Sequence, residues 1–127
     1  MNIIKDRFIR KVICEGKESV KELAVKNKLG LQNADLRDAD LRDADLRDAD
    51  LRDADLQGVI LDFSVFPLWC GSFNMKVDNR LVYQLIAHIH RLDTSGCGKD
   101  VKKILEVTNK WRNQFCRYRG DVEAIKK

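Results

Sequence analysis

Between Asn33 and Gln57 the large apolar positions recur every fifth residue, at Leu36, Leu41, Leu46, Leu51 and Leu56, inside a repeated Ala-Asp-Leu-Arg-Asp unit. No single regular element satisfies that spacing. On a helix, five residues turn about 500°, so successive leucines scatter around the cylinder with no common stripe. In a continuous strand an odd spacing sends them alternately to opposite faces, and a coiled coil needs an average of about 3.5. Yet the leucines are the only large apolar residues of the unit. The consistent solution is a chain that bends once per unit and turns every leucine toward one axis. The bends are expected at the Arg-Asp pair, where Asp accepts turn geometry. The alanines Ala34, Ala39, Ala44, Ala49 and Ala54 are small enough to share the interior. Each unit buries little alone, and stacking makes the core. In register, the central column extends to Leu31, Leu61 and Phe66, with Leu29, Val59 and Ser64 in the small-residue column.

The flanks follow other patterns. Residues 17–30 read as a short helix with Val20, Leu23 and Ala24 on one face, Ser19 and Glu22 at capping-box spacing, and Gly30 near its end. Ile4, Phe8, Ile9 and Val12 also fall at helical spacing and predict an earlier helix. Downstream, Phe66, Pro67, Leu68, Trp69, Phe73 and Met75 form an aromatic cluster expected to plug the last coil. A helix with Asp78 as N-cap then presents Leu81, Val82, Leu85, Ile86, Ile89 and Leu92, and Thr94–Gly98 breaks it. A last helix over 100–118 carries Val101, Ile104, Leu105, Thr108, Trp111 and Phe115 on one side. The two are expected to pack as a hairpin against the solenoid end. This divides the chain into an N-terminal helical cap (1–28), a repeat block (29–68), and an aromatic plug with a C-terminal helical region (69–127).

Five consecutive perfect Ala-Asp-Leu triplets resemble the pentapeptide repeat family. The resemblance implies a right-handed quadrilateral β-helix, a β-solenoid with one unit per side and four per coil, here about two coils. A second, looser resemblance links Pro67, Leu68, Trp69, Cys70, Gly71, Ser72, Lys76, Asp78, Gln84, Leu85 and His88 to small pentapeptide repeat proteins of bacteria and their phages. It brings no activity with it. Two coils expose both ends of their core, so the flanks are expected to act as caps.

Charge changes the picture next. The 127-residue chain carries +4 overall, with 35% charged residues. Residues 33–57 hold nine Asp against four Arg, a local −5, so the remainder carries +9. Some long members of the resembling family protect DNA gyrase by displaying an acidic rod like duplex DNA. Two coils, at ~4.8 Å each, span only about 10 Å, room for few phosphates at ~3.4 Å per strand, and the arginines interrupt the acidic face. The opposite sign gathers at Lys99, Lys102, Lys103, Lys110, Arg112, Arg117 and Arg119, with Trp111 and Tyr118 among them. Such a helix can bind phosphates and stack bases, or simply be a solvated face.

Other chemistry is thinly represented. Cys14, Cys70, Cys97 and Cys116 are widely and irregularly spaced and read as buried free thiols. His88 and His90, two apart on a helix, point about 200° from each other and cannot grip one ion together. Cys70 with His88 as base is a pairing that only three dimensions can establish. No catalytic, metal or cofactor role is assigned to any residue. Residues 1–12 lack an apolar core followed by a cleavage site, and no apolar run approaches the ~18–20 residues of a membrane span; a cytoplasmic protein is expected.

The expectation is therefore a non-enzymatic protein-interaction or scaffold module whose partner is another protein, with dimerisation compatible. Its interaction surface would comprise Asp35, Arg37, Asp40, Arg42, Asp45, Arg47, Asp50, Arg52 and Asp55, together with Lys102, Lys103, Lys110, Arg117 and Arg119. The alternative is a regulator of a nucleic-acid enzyme, through partial DNA mimicry or the basic C-terminal helix. The repeat reading makes a direct prediction: Leu46→Asp abolishes the cooperative unfolding transition followed by circular dichroism, whereas Arg47→Ala shifts its midpoint little. Equal tolerance of both contradicts a common leucine core.

Overall fold

The fold is a computed structural model that describes residues 1–118. It divides into two compact units, Met1–Asp78 and Asn79–Lys127. In the first unit each pentapeptide closes a tight turn. The amide three residues after a central residue donates to that residue's carbonyl, from Ala34 to Leu31 (3.1 Å) through Ser64 to Leu61 (2.9 Å). The turn residue two after the centre has φ near +60°, at Asn33, Asp38, Asp43, Asp48, Asp53 and Phe63, and +74° at Gly58. A positive φ at the third turn position defines a type II turn. Asp, Asn and Gly tolerate that region, which explains the second Asp of the unit.

With one bend per five residues, the chain returns above itself after twenty. Parallel bridges join Asp35 to Asp55, Asp40 to Ile60 and Asp45 to Val65. Leu36 N–H donates to Asp55 C=O (3.0 Å) and Leu41 N–H to Ile60 C=O (2.9 Å). In return, Asp55 N–H donates to Ala34 C=O (2.8 Å) and Ile60 N–H to Ala39 C=O (3.1 Å). A twenty-residue row therefore holds four units. Leu31, Leu36, Leu41, Leu46, Leu51, Leu56 and Leu61 are all buried, as are Ala34, Ala44, Ala49 and Ala54; Ala39 and Phe66 are half-buried. Leu29 lies outside this core, exposed in a 3-10 turn over Lys28–Gly30.

The ladder continues past residue 68. Leu51 N–H donates to Gly71 C=O (2.7 Å), Asp53 N–H to Phe73 C=O (3.0 Å), and Leu56 N–H to Lys76 C=O (2.7 Å). This partial third row is hidden in the sequence because glycine stands in the leucine column. A Cβ at Gly71 would lie 2.6 Å from the Ala49 carbonyl oxygen and 2.5 Å from the Trp69 ring, so the indole occupies that space. The expected plug is not a buried one: Leu68, Trp69 and Phe73 are exposed and Phe66 and Met75 only half-buried.

The N-terminal segment corrects another expectation. Ile4, Phe8, Ile9 and Val12 do not share a helix. β1 (Asn2–Lys5) and β2 (Val12–Gly16) form an antiparallel hairpin, pairing Ile3 with Glu15 and Ile4 with Cys14. The local cause is Asp6, whose Oδ1 accepts from the amides of Phe8 (2.8 Å) and Ile9 (3.1 Å), with Arg10 at φ 60° completing the reversal. β-branched Ile and Val then favour strands. The hairpin docks on the first row through Asp35 N–H to Lys5 C=O (2.8 Å) and Arg7 N–H to Asn33 C=O (2.7 Å). Helix α1 (Val20–Lys26) follows, its Glu22 amide donating to the Ser19 hydroxyl (3.1 Å), with Leu23 and Ala24 buried.

The second unit contains α2 (Asn79–Arg91) and α3 (Lys99–Thr108). Of the residues expected on the apolar face of α2, Leu81 is buried, whereas Val82, Leu85 and Leu92 are exposed. The single helix expected over 100–118 stops at Thr108 and continues as 3-10 turns at Asn109–Trp111 and Gln114–Arg117. Thr108 Oγ1 donates back to the Ile104 carbonyl (2.8 Å), and two asparagines follow at 109 and 113, a combination that weakens helix continuation.

Two substitutions test this account. Phe63→Asn relieves a left-handed conformation costing ~1–2 kcal/mol for an ordinary L-residue, so the urea midpoint rises by an equivalent of about 1 kcal/mol. Gly71→Ala lowers it by ~1–3 kcal/mol through overpacking against backbone. A stabilising Gly71→Ala contradicts the Trp69 packing described above.

Candidate functional site

The charged face of the rows is built from one local motif. In each of four units the arginine side chain forks back onto the aspartate two residues earlier. Arg37 Nε and Nη2 donate to Asp35 Oδ1 and Oδ2 (both 2.9 Å), and Arg42 to Asp40 at 2.8 and 2.6 Å. Arg47 repeats this on Asp45 (2.9 and 2.8 Å) and Arg52 on Asp50 (2.9 and 2.7 Å). The arginine's own amide also donates to Oδ1, at 3.2–3.3 Å. The bend at the Arg-Asp pair brings these groups together, and a planar guanidinium matches a carboxylate in this two-pronged manner.

The pairing fixes the ionisation of the face. The Arg42 fork holds Asp40 down to about 2, and the Arg52 fork, helped by Gln32, holds Asp50 to about 2. Asp35, bound by Arg37 and also by Arg10 (2.8 Å), and Asp45, bound by Arg47, lie well below the ordinary carboxylate range. The fifth unit has Gln57 instead of arginine. Its amide donates to Asp55 Oδ1 (3.1 Å), and the positive charge of Arg37 in the row below acts on this buried carboxylate. The aspartates of the acidic band are thus of two kinds: five that accept hydrogen bonds from the residue two positions on, and Asp38, Asp43, Asp48 and Asp53 at the turns.

A different surface appears along residues 63–73. Phe63 is 76% exposed, Leu68 88%, Phe73 66% and Trp69 51%, with Val65 beside them in sequence and also exposed. Phe63 occupies the left-handed turn position that Asp, Asn or Gly fills in the other six turns.

The geometry of the rows can now be set beside known proteins. A family model described as "Pentapeptide repeats (8 copies)" matches residues 31–62. Residues 31–62 are a pentapeptide-repeat segment. Searches of curated proteins and of solved structures found no match for the chain. Outside this segment the other candidate residues are dispersed. Lys102 and Lys103 lie exposed on α3, Lys110 stands 4.3 Å over the Trp111 ring, and Arg117 is exposed; Arg119 lies outside the described residues. The four thiols are free, but not buried as expected: Cys70 and Cys97 are exposed because they fall in a 3-10 turn and an interhelical loop, and Cys14 and Cys116 are half-buried. Cys70 belongs to the first unit and the exposed His88 to the second. Among the described residues no three His, Cys, Asp or Glu side chains are grouped as a metal ion requires, and no helix is long and apolar enough to cross a membrane.

The forks give the repeat face a signed pH dependence. Asp35, Asp40, Asp45 and Asp50 have folded-state pKa values below the unfolded ~3.9. Their contribution is fully present above that value and is lost as pH falls from about 4 toward 2, because the unfolded chain then binds more protons. Urea midpoints by circular dichroism are expected to be level from pH 7 to 5 and to fall below 4. The slope flattens in Arg42→Gln/Arg47→Gln; an unchanged slope there assigns the acid sensitivity to other carboxylates. Being largely exposed pairs, they produce a modest effect that salt weakens.

Proposed function

We propose that this chain is a pentapeptide-repeat protein and a non-enzymatic interaction module acting in the cytoplasm. Its rows form a right-handed, four-sided solenoid of about two coils, and the band at 63–73 takes the apolar face of another protein. The observation that carries this reading is Phe63. A large aromatic is held at a φ of 60° while three-quarters exposed, and backbone strain retained at an exposed position is a recurrent mark of a functional surface. Neighbouring Leu68, Trp69 and Phe73 extend the apolar character along the same segment. Large apolar and aromatic side chains are the usual anchors of protein interfaces.

The Arg–Asp forks support the same choice. A duplex mimic needs regular negative charge facing outward, whereas four of the acidic side chains here are neutralised within their own unit. What the forks favour is a stiff, nearly self-contained support for the apolar band.

The test is affinity capture from the native host with three proteins: the natural chain, Phe63→Asn/Leu68→Ser/Phe73→Ser, and Arg42→Gln/Arg47→Gln. One discrete partner is expected to be retained by the natural chain and by the arginine variant, and lost at least tenfold by the band variant while its circular dichroism stays native. Partner retention by a folded band variant overturns the reading. Salt-sensitive DNA binding lost in Lys102→Glu/Lys103→Glu/Lys110→Glu would replace it with the nucleic-acid alternative.

A further inference from the structure

The second unit contains a cavity of about 380 Å³ lined by α2, α3 and the turn that follows, within the ~300–1,000 Å³ typical of small-molecule sites. Its apolar lining comes from Ile89, Leu92 and Leu105. Its polar lining comes from His90, Lys102, Glu106, Asn109 and Arg112. Two permanent cations thus face the space against one carboxylate. The Arg112 guanidinium is tied to the cavity wall by its hydrogen bond to Asn109 Oδ1. His90 is fixed as well, its Nε2 hydrogen-bonded to Thr108 Oγ1 at 2.8 Å. Burial, then Arg112, push the His90 pKa down.

We propose that this cavity binds a small organic anion, an apolar body bearing one carboxylate or phosphate group. The body packs on Ile89, Leu92 and Leu105, and the head pairs with Lys102 and Arg112. Lys103, Lys110 and Arg117 do not line the cavity, which sets a small anion apart from a polyanion that would engage the whole basic segment. The cavity residues belong to the second unit and the apolar band at 63–73 to the first, and the proposal does not rest on a protein partner.

The test is titration of the full chain with phenyl phosphate, benzoate and inorganic phosphate, followed by NMR at His90, Leu105 and Arg112. Saturable shifts with phenyl phosphate or benzoate are expected, with inorganic phosphate at least tenfold weaker because it lacks the apolar body; the tighter of the two aromatic anions identifies the head group. Lys102→Gln and Arg112→Gln each weaken binding about tenfold, the usual size of a lost charge-assisted hydrogen bond, while Lys103→Gln leaves it unchanged. Absence of saturable shifts with both aromatic anions, or an equal loss in Lys103→Gln, overturns the proposal. So does tighter binding of a short single-stranded oligonucleotide that depends equally on Lys102, Lys103 and Lys110.

Discussion

Everything in the first unit depends on one backbone conformation repeated at a fixed interval. The second residue after each central position turns through positive φ, the chain bends, and twenty residues later it lies in hydrogen-bonding register with itself. Leucine burial, alanine packing and the Arg–Asp forks all follow from that recurrence. None could be arranged by a helix or a flat strand of the same sequence.

The bend also divides labour between two aspartates of identical chemistry. In four of the five units the first meets the guanidinium of its own arginine and is held ionised by it. The second sits at the turn, where its short polar side chain makes the left-handed region tolerable. Sequence composition counts both as negative charge. In the fold, four of the nine carboxylates are taken up by forks, and Asp55 and the four turn aspartates are left outside them.

Much of this was legible in the residues. A period of five with one large apolar position per unit admits few solutions, and the Leu31–Leu61 column needs only counting. Phe63 was missed, although the register places it where six other turns carry Asp, Asn or Gly. Legibility failed where one residue type serves two patterns. Ile4, Phe8, Ile9 and Val12 fit a helical stripe, but the Asp6 side chain captures two amides and makes a hairpin. Gly71 breaks the leucine column in sequence while the Trp69 indole fills its place in space. The cavity beside His90 and Arg112 joins residues more than twenty apart through an interhelical connection, and no periodicity announces it.

The twenty-residue row has a consequence for how such a chain can change length. Because each row pairs with the next at a spacing of twenty residues, adding or losing a single unit shifts everything downstream by one unit against its partners. Gly71 and Trp69 would then meet the column of Leu56 after a gain, or of Leu46 after a loss, instead of Leu51. The rows are therefore phased against their ends like a thread cut to a fixed pitch. Near-identical units invite duplication, but only steps of twenty residues preserve the direction in which the final aromatic side chains face.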